Sequence, residues 1–158
     1  AFRGILMQSL RRFGDGFALL VSALLFGLFH LNMIQAPYAF LLGLWFGYLV
    51  LRTGSLWISM VLHACVNFSA GVMSIFMNGM GEETLILVNL VYIVFWITTG
   101  VASVLFLILR VRGPLRLYPA QTWLRGGQKV GVYFSSVAMI FALLVILFFM
   151  VQNFVRVA

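Results

Sequence analysis

The sequence is poor in charged residues, and in acidic ones above all. Only 8% of its 158 residues are charged, and Asp and Glu number three against ten Lys and Arg. Because 64% of the residues are hydrophobic, a soluble fold of this length would expose more apolar area than water tolerates. The composition therefore excludes a soluble globular domain and predicts that lipid covers much of the surface.

Cysteine and proline are also scarce. The single cysteine, Cys65, lies within an apolar run, and one cysteine excludes an intrachain disulfide. Two of the three prolines fall in residues 110–129, a segment that also carries paired glycines and five basic residues. This composition is typical of a loop that lies against anionic lipid headgroups.

Long apolar runs are what the sequence has in abundance. A membrane-spanning helix needs about 20 mostly apolar residues to cross a hydrocarbon layer of about 30 Å. Leu56 to Met77, Leu85 to Leu109 and Val130 to Val155 reach that length, whereas Phe17 to Leu31 and Pro37 to Leu51 are shorter. The sequence thus predicts an all-α fold, a polytopic transmembrane helix bundle with about five membrane helices.

The basic residues occupy the gaps between apolar runs, so the net charge of +7 indicates membrane topology and not nucleic-acid binding. A cytoplasmic start puts every basic residue except Arg156 inside, and puts Glu82 and Glu83 in an outer loop. We therefore expect a multi-pass protein of the cell membrane, with the lipid bilayer as a partner. The start of the chain and loop 110–129 are expected to be cytoplasmic.

The predicted organisation has three parts. Residues 1–109 form a membrane core, 110–129 a basic cytoplasmic loop, and 130–158 a C-terminal transmembrane helix. Nearly all polar residues at membrane depth precede residue 77, so any chemistry is expected there. Gly43 and Gly47 form a GxxxG pair, which favours close approach of another helix of the same chain.

Three polar residues stand out at membrane depth: His30, His63 and Asn67. Ionisable groups in membrane segments are costly, and they usually face a partner, a cavity or a reaction centre. His63 and Asn67 are four residues apart and share one helix face, and His30 follows Phe26 at the same interval. Two other interpretations remain open: structural histidines satisfied within a packed bundle, and a bis-histidine haem or transport protein, which a visible absorption spectrum would reveal.

The stretches FGLFH at 26–30 and YAFLLGLWFGYLVLRTGSLWISMVLHACVN at 38–67 resemble the CAAX protease and bacteriocin-processing (CPBP, or Abi) family. That family carries three motifs: EExxxR, FxxxH, and HxxxN or HxxxD. Phe26 to His30 matches the second motif and His63 to Asn67 the third. AFRG at 1–4 resembles the end of the first motif, with Arg3 as its arginine.

Both glutamates of the first motif are then expected immediately before residue 1. Glu82 and Glu83 do not replace them, because Leu87 stands where that motif has arginine. The resemblance implies an intramembrane endopeptidase. This segment alone, without the motif-one glutamates, is expected to have little activity.

The resemblance also implies roles for individual residues. His30 would activate water together with a motif-one glutamate, while His63 and Asn67 would hold the scissile carbonyl. Arg3 and Phe26 would support the site. His30 and His63 would be ligands if the enzyme is a zinc metalloprotease, but asparagine is a poor zinc ligand, so a metal-free glutamate mechanism is favoured.

The implied substrate is a membrane-associated peptide or protein, with a role in bacteriocin processing or self-immunity in a bacterial membrane. The alternative that stays open is a non-enzymatic immunity or scaffold membrane protein with a degenerate protease fold.

Overall fold

The structure is a computed structural model, and it describes residues 2–33, 35–110 and 117–157. It is 84% helical and has no strand within that part of the chain, which confirms the predicted all-α fold. The expectations for Ala1, for residues 111–116 of the basic loop and for Ala158 lie outside the described residues.

Seven α-helices follow one another along the described chain. A π-helical turn, Phe2–Leu6, leads into the short α1, and a 3-10 turn, Arg11–Phe13, precedes α2. The helices are α1 (Met7–Leu10), α2 (Asp15–Leu28), α3 (Gln35–Thr53), α4 (Leu56–Met77), α5 (Glu82–Arg110), α6 (Gly126–Phe134) and α7 (Val137–Val157).

Three described helices are long and apolar enough to cross a membrane, and they are α4, the first 21 residues of α5, and α7. Most of their large apolar side chains are exposed, as expected for surfaces that face lipid. These helices make the chain a membrane protein.

The two shorter predicted spans, α2 and α3, form helices. They fall below the length or the mean hydropathy that identifies the three longer spans. At 1.5 Å per residue the 14-residue α2 is about 21 Å long, well short of the bilayer core. Helix α3 has 19 residues, and polar Gln35 and charged Arg52 near its ends lower its mean hydropathy. Length and composition therefore support three of the five predicted membrane helices.

The described chain divides into two compact units, residues 1–63 with 117–158, and residues 64–116. The core of the first unit is a cluster of buried apolar side chains from the N-terminal turns, α1, α2 and α3. Its members are Met7, Leu10, Phe13, Ala18, Val21, Leu25 and Val50.

Glycines allow α2 and α3 to pack closely in the first unit. A Cβ atom built on Gly43 would lie 3.0 Å from the Ala23 Cα atom, and one on Gly47 would lie 2.6 Å from a Leu19 methyl group. The predicted GxxxG pair is thus confirmed as an intramolecular packing site.

A buried carboxylate links the start of α2 to the basic loop. Asp15 is 2% exposed and pairs with the Arg11 Nε atom at 2.7 Å. Its Oδ2 atom also accepts a hydrogen bond from the Tyr118 backbone N–H at 3.1 Å. Lys129 donates to the Phe13 carbonyl at 2.8 Å, so both basic segments lie at one end of this unit.

The C-terminal segment is helical earlier than the sequence suggested. Helix α6 begins at Gly126, so the last residues of the predicted loop 110–129 are helical. A break at Ser135 and Ser136 separates α6 from α7.

The second unit contains the last part of α4 and all of the described α5. Ser69 and Tyr92 form a hydroxyl–hydroxyl hydrogen bond of 3.2 Å between the two helices. An open cleft lined by Met73, Asn89, Tyr92 and their neighbours contains none of the predicted site residues.

The close approach of α2 and α3 predicts a sensitive glycine. A Cβ atom at Gly27 would lie 2.8 Å from the Ala36 carbonyl oxygen, a backbone atom that cannot rotate away. We expect Gly27→Ala to lower the free energy of unfolding by about 1–3 kcal/mol, as overpacked cores do. Gly71→Ala, where nothing lies within 4 Å of the new methyl group, is the matched control and should not lower the free energy of unfolding. Equal denaturation midpoints for the two variants in detergent would contradict the packing.

Candidate active site

The side chains of the candidate site meet at the ring of Phe26. Phe26 lies in the last turn of α2 and is 8% exposed. Its ring centroid is 4.8 Å from that of His30 and 5.4 Å from that of His63, both in edge-to-face geometry. The Arg3 guanidinium carbon lies over the same ring at 4.4 Å. One aromatic ring thus contacts both histidines and a cation.

His30 lies just past the end of α2. Its Nδ1 atom is 2.8 Å from the Phe26 carbonyl oxygen, one helical turn earlier. A carbonyl oxygen can only accept, so Nδ1 carries the proton and donates it. In the neutral imidazole this leaves Nε2 unprotonated, which is the tautomer that a general base needs.

His63 lies on α4, and its ring is placed by two phenylalanines. Besides Phe26, it meets the Phe46 ring of α3 at 6.4 Å between centroids, again near perpendicular. Phe46 is 3% exposed, so the imidazole lies against a fixed apolar surface. The first residue of α4 is about 10 Å away along the helix axis, which puts His63 inside a spanning helix.

Arg3 enters the site from the π-helical turn at the start of the chain. Its guanidinium lies between the faces of Phe26 and Phe46, the second at 5.2 Å. The Nε and Nη2 atoms are buried, and no described residue accepts a hydrogen bond from them. Arg3 is outside the three spanning helices, and burial lowers its pKa to about 10, so it stays charged at neutral pH.

Two buried guanidinium nitrogens without acceptors are costly, because their N–H groups lose their hydration. The geometry of the fork suits a carboxylate, which can accept two parallel hydrogen bonds. Arg3 is therefore equipped to hold an anionic group at this ring.

Asn67 follows His63 by four residues on the same helix, as predicted. It belongs to the second unit, whereas the structure brings Arg3, Phe26, His30 and His63 together in the first. The position of Asn67 is therefore described only by its spacing from His63 along α4.

Sequence reasoning missed two residues beside the site. Phe46 was hidden among the many aromatic residues of α3. Asn153 donates its side-chain N–H to the Leu31 carbonyl, next to His30, at 2.8 Å. A signal for Asn153 existed, because an amide inside the last apolar run needs a partner there.

The described residues do not by themselves form a zinc site. Catalytic zinc takes three protein ligands, and no three His, Cys, Asp or Glu side chains come together in the described part of the chain. The donors at the Phe26 ring are two imidazoles beside a guanidinium, whose positive charge opposes a nearby divalent cation.

The fold and the site define a class of protein. It is a helical membrane protein in which ionisable side chains lie close together inside the bundle. Residues 1–69 match the model of the family described as type II CAAX prenyl endopeptidase Rce1-like. This match covers less than half of the chain and is consistent with the resemblance to the CAAX protease and bacteriocin-processing family. All five predicted site residues lie within it. Comparisons with curated proteins and with solved structures give no match.

The central position of Phe26 predicts a cost for losing its ring. Phe26→Leu keeps most of the apolar volume but removes the ring face on which Arg3 lies. We expect the free energy of unfolding to fall by about 2 kcal/mol, the scale of one desolvated cation–π contact. The NMR signals of the His30 and His63 rings should shift as well.

Phe68→Leu is the matched control, since Phe68 is 75% exposed and lies in the second unit. Unchanged histidine signals in Phe26→Leu would contradict the proposed arrangement.

Proposed function

We propose that this chain carries the catalytic core of a membrane-embedded endopeptidase of the CAAX-protease type, which hydrolyses a membrane-associated peptide or protein. The observation that carries the proposal is the meeting of His30, His63 and Arg3 at the Phe26 ring, within the segment that matches a peptidase family. Two imidazoles and one guanidinium supply proton transfer and charge stabilisation, which peptide hydrolysis requires.

In this proposal His30 is the group that takes a proton from the attacking water. Its Nδ1–H is held by the Phe26 carbonyl, so Nε2 receives the proton while the water oxygen bonds to the scissile carbonyl carbon. The same nitrogen then delivers the proton to the leaving amine. The resemblance assigns the partner carboxylate to the glutamates of the first motif, which ends in Arg3.

Arg3 would hold that carboxylate through its two buried N–H groups. His63 and Asn67, the residues of the third motif, would donate hydrogen bonds to the oxyanion that forms on the substrate. Helix spacing supports their cooperation, because residues four apart lie on one face of α4.

The position of the site favours a substrate that is bound to the membrane. His63 lies inside a spanning helix, so a peptide that reaches it must enter from the lipid or from its surface. A prenylated C-terminal segment, a bacteriocin leader and an immunity target are the substrate classes that the resemblance offers.

The proposed sidedness puts the N-terminal turns and the basic loop in the cytoplasm of a bacterial cell. The hydrogen bonds from Lys129 to Phe13 and from Gln121 to Arg12 hold the two basic segments at one end of the first unit. Basic residues concentrated at one end agree with the positive-inside rule.

A non-enzymatic immunity or scaffold protein is the second candidate. Asp15 shows that polar side chains of the first unit can have a structural role, because its buried carboxylate is engaged by Arg11 and Tyr118. A protein of this kind would keep the fold and bind its partner without hydrolysis.

Replacement of the histidines tests the proposal. In the complete protein, His30→Ala should lower the rate of cleavage by about 10²–10⁴, the usual contribution of a positioned acid or base. His63→Ala should lower it by about 10²–10³, the usual contribution of a donor to the oxyanion. Membrane insertion and abundance should not change. The assay uses quenched fluorescent peptides, farnesylated CAAX peptides and bacteriocin leaders, with the enzyme in liposomes.

Cys65→Ala is the control on the same helix, because Cys65 is exposed and occupies a position of the HxxxN motif at which any residue is allowed. Full activity in both histidine variants would show that the proposed roles are wrong. A folded wild-type protein that cleaves no peptide but binds one would favour the scaffold.

The metal-free form of this proposal makes a separate prediction. Because asparagine is a poor zinc ligand and the Arg3 guanidinium lies over the ring that both imidazoles contact, 1,10-phenanthroline should leave the cleavage rate unchanged. Inhibition by this chelator that added Zn²⁺ reverses would contradict a metal-free mechanism.

A further inference from the structure

The turn that carries His30 contains a strained residue. Leu31 has a φ of +57°. Among the residues that the structure describes, it is the one non-glycine residue with a positive φ. Side chains with a Cβ atom disfavour this left-handed conformation, which glycine usually supplies just after a helix. A residue persists in it when its surroundings hold it there.

Asn153 contacts this turn from outside α2 and α3. Its Nδ2–H donates to the Leu31 carbonyl at 2.8 Å, across 122 positions of sequence. Because a carbonyl oxygen can only accept, the amide nitrogen must be the atom that faces it. An amide inside an apolar spanning helix is costly without such a partner.

One face of α7 contacts the rest of the first unit at several points. Met139 and Leu143 contact the buried core cluster, and Met150 is 5% exposed. Asn153 follows Met150 by three residues, so it lies on the same face of α7. The adjacent Gln152 is exposed.

We propose that Asn153 is a positioning residue for His30, acting through the carbonyl of the strained Leu31. The bond keeps the turn in its left-handed conformation, and the turn keeps the imidazole within reach of the Phe26 carbonyl. The C-terminal helix, which lies outside residues 1–69, thereby takes part in the proposed site. The inference rests on the proposed function only in calling that site catalytic.

The test measures the exposure of His30 and does not require turnover. Full-length protein in lipid nanodiscs is treated with diethyl pyrocarbonate, and mass spectrometry follows carbethoxylation of His30 and His63 separately. Asn153→Leu removes the donor at similar volume, and should speed modification of His30 by about two- to tenfold, the factor expected for one net hydrogen bond. The rate at His63 should not change.

Two further variants separate positioning from general stability. Gln152→Leu removes an exposed amide next to Asn153 and should leave both rates unchanged. Leu31→Gly, combined with Asn153→Leu, should return the His30 rate towards that of the wild type, because glycine adopts positive φ without the tether. Asn153→Ala is measured in parallel in case Asn153→Leu does not accumulate.

An unchanged His30 rate in the Asn153 variants would overturn the proposal. So would an equal rise at His30 and His63, which would mean that Asn153 stabilises the whole bundle, or a double variant without rescue. If the wild-type protein proves unable to hydrolyse any peptide, the proposed function fails while this result stands. Where hydrolysis is measurable, Asn153→Leu should lower kcat with little change in KM.

Discussion

The contacts around the Phe26 ring are the constraint on which the site depends. The ring's negative face attracts the Arg3 guanidinium. Two imidazoles contact the same ring in edge-to-face geometry, at centroid distances near 5 Å. Three segments that are distant in sequence therefore meet at one side chain. A residue of another shape would still fill the space, but it would not attract a cation or orient a histidine.

Close packing of α2 and α3 makes these contacts possible. A methyl group at Gly43 would come within 3.2 Å of the Phe26 ring, so this glycine is part of the wall against which the ring lies. Gly27, in the last turn of α2, allows the following helix to return close to the turn that carries His30. The small residues thus act on the site by setting the distance between the backbones.

Polar groups in this apolar protein are satisfied by a few bonds over long sequence separations. Asp15 binds the backbone of Tyr118, and Asn153 binds the backbone of Leu31. Burial without these partners would be costly, because water does not reach such groups to replace a lost bond. Both bonds join the C-terminal part of the chain to the N-terminal part, and they extend the first unit well past residues 1–69.

The sequence by itself determined the all-α class, the membrane location and the motif residues, because apolar runs and helical spacing are local properties. It also placed His63 and Asn67 on one helix face. It left α2 and α3 less certain as spans, since short or interrupted apolar runs do not reveal whether protein or lipid covers them. Only the tertiary structure decided that Arg3, His30 and His63 share the ring of Phe26, and that Asn153 holds Leu31. Such contacts join residues up to 122 positions apart, and no local pattern records which distant side chain will satisfy a buried polar group.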